Sequence, residues 1–132
     1  NKINTPYTMY LWRAIPGYSA FGSYTGNGST TGDGPFIYTG FKTAFVLFKS
    51  STGTYNWVIY DSTRSPNNPN SAYLFPNDVA SEPTTNKPID LLSNGFKLST
   101  SNTNTNNAVD YIYAAFAENP FGGNNVSPVT AR

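Results

Sequence analysis

Seven carboxylates, Asp33, Asp61, Asp78, Glu82, Asp90, Asp110 and Glu118, carry most of the acid–base chemistry open to this chain, because its 132 residues include no His and no Cys. Cleavage of a glycosidic bond needs two carboxyl groups about 5 to 9.5 Å apart across the bond. Asp61 and Glu118, each closing an aromatic segment, are the pair that could meet. The competing role for either is to cap a turn or to pair with a base, and Arg64 stands three residues beyond Asp61. Nothing else sets an acid and a base in opposed environments, so the expectation is a non-enzymatic protein. None of the 13 serines has an imidazole to activate it or sits in a nucleophile elbow. Gly26-Asn27-Gly28 and Gly32-Asp33-Gly34 lack the Lys-Ser or Lys-Thr and the helix start of a phosphate loop, and read as turns. Asp33 offers a cation one carboxylate, without the acidic spacing of a helix–loop–helix calcium site. Neither a metal nor a cofactor is expected.

Aromatic chemistry remains, since Phe, Trp and Tyr make up 16% of the chain. Trp12, Tyr18, Tyr24, Tyr38, Trp57, Tyr60 and Tyr73 offer faces on which sugar rings stack, with loop amides and carboxylates to bond the hydroxyls. The candidate glycan-binding residues are Tyr24, Asn27, Trp57, Tyr60, Asp61 and Arg64. The competing use is burial: an internal aromatic removes about 150–250 Å² from water, and a core short of Leu and Ile needs such residues. Asn27-Gly28-Ser29 and Asn125-Val126-Ser127 match the glycosylation sequon, which matters only in a eukaryotic secretory setting.

Charge narrows the partners. The net charge is +1 and 11% of residues are charged, against roughly 25% in an average soluble domain, so 46 Asn, Thr and Ser residues form the surface. No basic cluster marks a nucleic-acid face. The longest strongly apolar run, residues 44–48, is far short of the roughly 20 residues a membrane helix needs. The first residue is Asn rather than Met, as in a processed product, a fragment or part of a longer protein.

The elements that must position these residues read as strands. The chain has no Gln, two Glu, and 21 Gly and Pro together, a composition for short strands and turn-rich loops. The first candidate, residues 7–15, sets Tyr7, Met9, Leu11 and Ile15 on one face and Tyr10 and Trp12 on the other, with both faces at least partly covered. Residues 20–24 and 36–38 follow. Residues 43–49 alternate Phe45 and Leu47 with Ala44, Val46 and Phe48, which predicts a mid-sheet strand buried on both sides and hairpinned to residues 55–60. Residues 61–87, with four prolines, read as a long excursion interrupted at 72–75. Residues 89–92 fit one helical turn or an extended segment, and residues 96–98 a short strand after the Ser93-Asn94-Gly95 turn. Residues 99–107 are all Ser, Thr or Asn, which predicts an exposed loop outside the core. Residues 108–117 read as strand over helix, and the tail from Asn119 as extended. Tyr7, Trp12 and Pro16 recur at the same spacing as Tyr111, Phe116 and Pro120. This echo fits two neighbouring strands, a strand closing an earlier repeat, or chance.

Several segments together resemble a domain of tailed-bacteriophage structural proteins, especially marine and cyanobacterial ones. They are Ser23 to Gly28, Gly34-Pro35-Phe36, Thr39-Gly40-Phe41 into Ala44-Phe45-Val46, Asn56-Trp57 with Tyr60-Asp61 and Arg64, Leu91 to Leu98, Tyr111 to Phe121 and Ala131-Arg132. The resemblance runs from Tyr18 over nearly the whole chain. It implies an all-β fold, an antiparallel β-sandwich of jelly-roll or lectin-like type, on the virion surface in tail fibres, receptor-binding modules or head decorations. With it go other virion proteins as expected partners, a homo-oligomer with a trimer favoured, and a host-surface glycan as candidate ligand, while charge and the short apolar runs predict neither nucleic acid nor membrane. It transfers no catalytic residue. Residues 1–17 then stand as an N-terminal strand closing a preceding unit, and residues 18–132 as one sandwich domain. Two other readings stay open: a carbohydrate-processing enzyme domain, and an extracellular filament or adhesin subunit.

Overall fold

A computed structural model describes residues 6–84, 89–122 and 128. Eight strands appear in it: β1 Ser19–Thr25, β2 Phe36–Tyr38, β3 Thr43–Ser50, β4 Val58–Asp61, β5 Tyr73–Leu74, β6 Ile89–Leu92, β7 Gly95–Leu98 and β8 Asp110–Ala117. They form two antiparallel sheets, one of five strands in the order β1-β8-β3-β4-β5 and one of three in the order β2-β7-β6. The fold is an all-β antiparallel sandwich.

Alternation decides which side chains meet between the sheets. Val46 and Phe48 of β3, Val58 and Tyr60 of β4, and Ala115 of β8 face Ile37, Ile89, Phe96 and Leu98 of the small sheet, and all are buried. Phe48 and Phe96 meet edge to face with ring centroids 5.3 Å apart. Such a pair adds directional preference to simple area burial.

Strand β3 is central, paired to β8 on one side and β4 on the other. Its outer side chains, Phe45 and Leu47, are only half-buried, so the expectation of burial on both faces is corrected: among the described residues no second sheet lies over this side. Strand β8 resolves the helix–strand ambiguity: it pairs on both sides, with Phe21 and Leu47 flanking Ala114 and Ala20 and Val46 flanking Ala115 across the two ladders. Gly22 serves the same packing, since a Cβ there would lie 3.0 Å from the Tyr113 ring.

The first strand expected from sequence does not form. Residues 6–14 have no ladder, and one bridge joins Ile15 to Ser19 around the Pro16-Gly17 reversal, where Gly17 has φ +73°. Ser19 Oγ donates to the Arg13 carbonyl at 2.9 Å, so a side chain takes the acceptor that a hairpin ladder would extend past. The echo with β8 therefore does not mark neighbouring strands, since β8 lies between β1 and β3.

Residues 99–107 also depart from expectation. Thr105 and Asn106 are fully buried, because core tyrosines reach them: Tyr24 donates to the Thr105 carbonyl at 2.6 Å and Tyr111 to the Thr103 carbonyl at 2.9 Å. A loop of hydroxyls and amides can enter a core when its backbone finds such partners. The excursion after β4 is strapped down by β5 and by buried Asn70, while its last residues, 85–87, lie outside the described ones, as do Asn125-Val126-Ser127 and most of the tail.

Candidate functional site

The outer face of the five-stranded sheet carries a continuous apolar surface. Register sets Phe21 of β1, Ile112, Ala114 and Phe116 of β8, Phe45 and Leu47 of β3 and Ile59 of β4 side by side on it. The chain's two tryptophans stand over this surface. Trp12, in the segment before β1, stacks on Phe21 at 6.4 Å and on Tyr10 at 6.0 Å. Trp57 stands at the entrance to β4. Between them opens a cleft of ≈ 330 Å³ lined by Trp12, Phe21, Leu47, Trp57 and Ile112 among others. A second cleft of ≈ 340 Å³ lies beside Trp57 and Leu47, walled by Ile59, Pro76 and Asn77.

Amides fix Trp57 in place. Its backbone N–H donates to Asn77 Oδ1 at 2.9 Å, Asn77 Nδ2 donates to Asn56 Oδ1 at 2.9 Å, and Asn56 Nδ2 donates to Asp78 Oδ2 at 3.1 Å. Asn56 N–H in turn donates to Asn104 Oδ1 at 3.1 Å. The indole, 37% exposed, thus stands as a ridge with an apolar cleft on one side and a rim of amide and carboxylate groups on the other. Such a setting suits an apolar side chain or the flat face of a sugar. It holds no acid–base pair.

The residues expected to bind glycan are dispersed. Trp57 is the one with an open aromatic face. Tyr60 is fully buried against Phe48 and Tyr73, which corrects its assignment as a stacking platform, and burial, with the neighbouring Tyr73 and Tyr24, pushes its hydroxyl well above the usual range. Tyr24 is likewise withdrawn, stacked on Tyr111 at 5.2 Å, its hydroxyl raised first by burial and then by Tyr111. Their alternation with other apolar residues puts both on the inner face. Asn27 shapes its own loop, accepting from Ser29 N–H at 3.0 Å and donating to the Asp33 carbonyl at 2.7 Å.

Asp61 and Arg64 do come together. Asp61 accepts from the Arg64 backbone N–H at 2.7 Å and from Nε at 3.1 Å, and Arg64 reaches Glu82 at 2.7 Å. The guanidinium is held above its usual value, chiefly by the Glu82 hydrogen bond, with burial opposing and Asp61 adding to it. This network ties the excursion to the end of β4. Glu118 pairs with Lys42, so both carboxylates of the candidate catalytic pair are engaged by cations. Among the described residues no group of three or more His, Cys, Asp or Glu could hold a metal.

Sequence reading passed over Asn56, Asn77, Asp78 and the outer row of Leu47 and Ile112. The available signal was the second apolar stripe of β3, which reads equally as a strand under another layer and as a face awaiting a partner.

Neither the curated proteins nor the solved structures match the chain. A family model does, over residues 1–120, so the segment bearing Trp12 lies within the same unit as the sandwich: the chain belongs to the family described as Domain of unknown function (DUF7483).

Proposed function

We propose that the chain is a non-enzymatic structural module on the surface of a tailed-bacteriophage particle, part of a tail fibre, receptor-binding component or head decoration, and that it works through contacts between subunits. The observation that carries this reading is the outer sheet face: an apolar surface with a tryptophan cleft and, among the described residues, no covering sheet. Monomeric soluble proteins rarely expose contiguous apolar patches beyond a few hundred Å². The lectin-like resemblance supports the virion setting. Mass spectrometry of purified particles tests it: the protein persists through particle purification, and recovery only as a soluble intracellular monomer sinks the reading.

A second reading, retention of a host-surface glycan, is favoured by the Asn56, Asn77 and Asp78 rim beside Trp57. Stacking and hydrogen bonds to hydroxyls need no ionisable catalyst. On a glycan array the full chain then retains a sugar and Trp57→Ala loses it. Polysaccharide cleavage abolished by Asp61→Asn or Glu118→Gln would instead favour an enzyme.

A further inference from the structure

We infer that Tyr7, Met9 and Leu11 of one copy dock in the Trp12–Trp57 cleft of a second copy, and reciprocally, so that this face joins two copies in solution. The inference rests on the reading that the module acts through subunit contacts and names the contact.

Tyr10 and Trp12 stack on each other, and Trp12 reaches the sheet through Phe21. Tyr7, Met9 and Leu11 make no such contact and are 79%, 75% and 81% exposed. This row is apolar throughout, and among the described residues no hydrogen bond ties residues 6–12 to the sheet. The segment lies within the span matched by the family model, so it belongs with the domain.

Row and cleft complement each other and sit side by side. The cleft walls are themselves partly open, Trp12 at 62%, Ile112 at 45% and Trp57 at the value above. The row leaves roughly 450 Å² and the three cleft residues roughly 350 Å² more open to solvent, so the patch offers about the 800 Å² per copy that a standard complex buries. A two-fold contact requires that one patch carry both halves, as this one does.

The chain has no Cys, so engineered thiols report without background. In the full-length protein, Leu11→Cys mixed with Ile112→Cys is expected to give an inter-chain disulfide, and neither variant alone to give one. Sedimentation of the parent is expected to show a dimer, and Met9→Glu with Leu11→Glu a monomer with an unchanged circular dichroism spectrum. Emission from the two tryptophans, both in the cleft, should shift to longer wavelength on dilution in the parent only. An oligomer that survives the double Glu variant, or that forms without the mixed disulfide, overturns this contact while leaving subunit contacts as the function. A trimer overturns the reciprocity. A monomer at every concentration that still persists in particles overturns self-association alone, and absence from particles overturns the virion reading instead.

Discussion

Tyr24 and Tyr111 are directly paired across β1 and β8, their rings stacked 5.2 Å apart at an interplanar angle of 13°. Both hydroxyls point into the Ser, Thr and Asn loop. Tyr111 donates to the Thr103 carbonyl and accepts from the Asn107 N–H at 2.9 Å, and Tyr24 donates to the Thr105 carbonyl. One stacked pair therefore joins an aromatic core to a loop with no apolar side chain.

Removing either hydroxyl should loosen that loop while the rings stay packed. Tyr111→Phe removes the bond to the Thr103 carbonyl and the one from the half-buried Asn107 N–H and is expected to cost roughly 1–3 kcal/mol, with Tyr24→Phe at the lower end because it loses one bond. Denaturant unfolding gives the cost, and faster amide exchange confined to residues 99–109 gives the location. Parent-like exchange there would show that the hydroxyls do not hold the loop.

Asn70 plays the same part beneath the excursion. It is fully buried, with Nδ2 donating to the Asp61 carbonyl at 2.9 Å and the Ser65 carbonyl at 3.1 Å. Asn70→Ala should destabilise by roughly 1–3 kcal/mol and open residues 61–84 to limited proteolysis. An unchanged digestion pattern would mean that β5 alone holds the strap.

Two glycines permit close backbone approach. A Cβ on Gly34 would lie 2.0 Å from the Leu98 carbonyl oxygen, and one on Gly95 2.1 Å from that of Ile37. Backbone cannot move aside as a flexible side chain can, so Gly34→Ala and Gly95→Ala should each cost roughly 1–3 kcal/mol. Ser23→Ala, on an exposed position of β1, should fall within about 0.5 kcal/mol of the parent. Thermal unfolding of the three variants checks the contrast.

Alkaline pH should unfold the domain. Burial raises the hydroxyls of Tyr24, Tyr60, Tyr73, Tyr111 and Tyr113 above their ordinary value of 10.0. Below that value folded and unfolded chains both keep these protons and the stability is fully present. Above it the unfolded chain releases protons that the folded chain retains, so stability falls as pH rises beyond about 10. The phenolate absorbance of these five should appear together with the loss of the β-sheet dichroism signal. Full ionisation of all ten tyrosines with the dichroism intact would contradict their burial.

The fold was more legible than the site. Phe45, Val46, Leu47 and Phe48 announced a central strand because a near-continuous apolar run calls for neighbours on both edges, and Val58 and Tyr60 likewise marked one face of β4. Residues 7–15 carried an equally good strand pattern and formed no ladder, since a strand also needs a neighbour with free edge groups and pattern alone does not supply one. The loop at 99–107 departs from the exposed reading because burial of Thr105 and Asn106 depends on Tyr24, 81 residues from Thr105, acting with nearby Tyr111. Trp57 was found by residue type. Its amide rim was not, because Asn77 and Asp78 reach it from across a long excursion.

Strand β8 lies between β1 and β3, and this order governs assembly during synthesis. The β3–β4 and β6–β7 pairs are local and can close early, but among the described residues the sheet partner of β1 is a strand beginning at residue 110. Loop closure over such separations is slow compared with hairpin formation. The nascent chain therefore keeps one edge of β3 and all of β1 unpaired until residue 117 has left the ribosome, and its largest sheet is completed in a single late step.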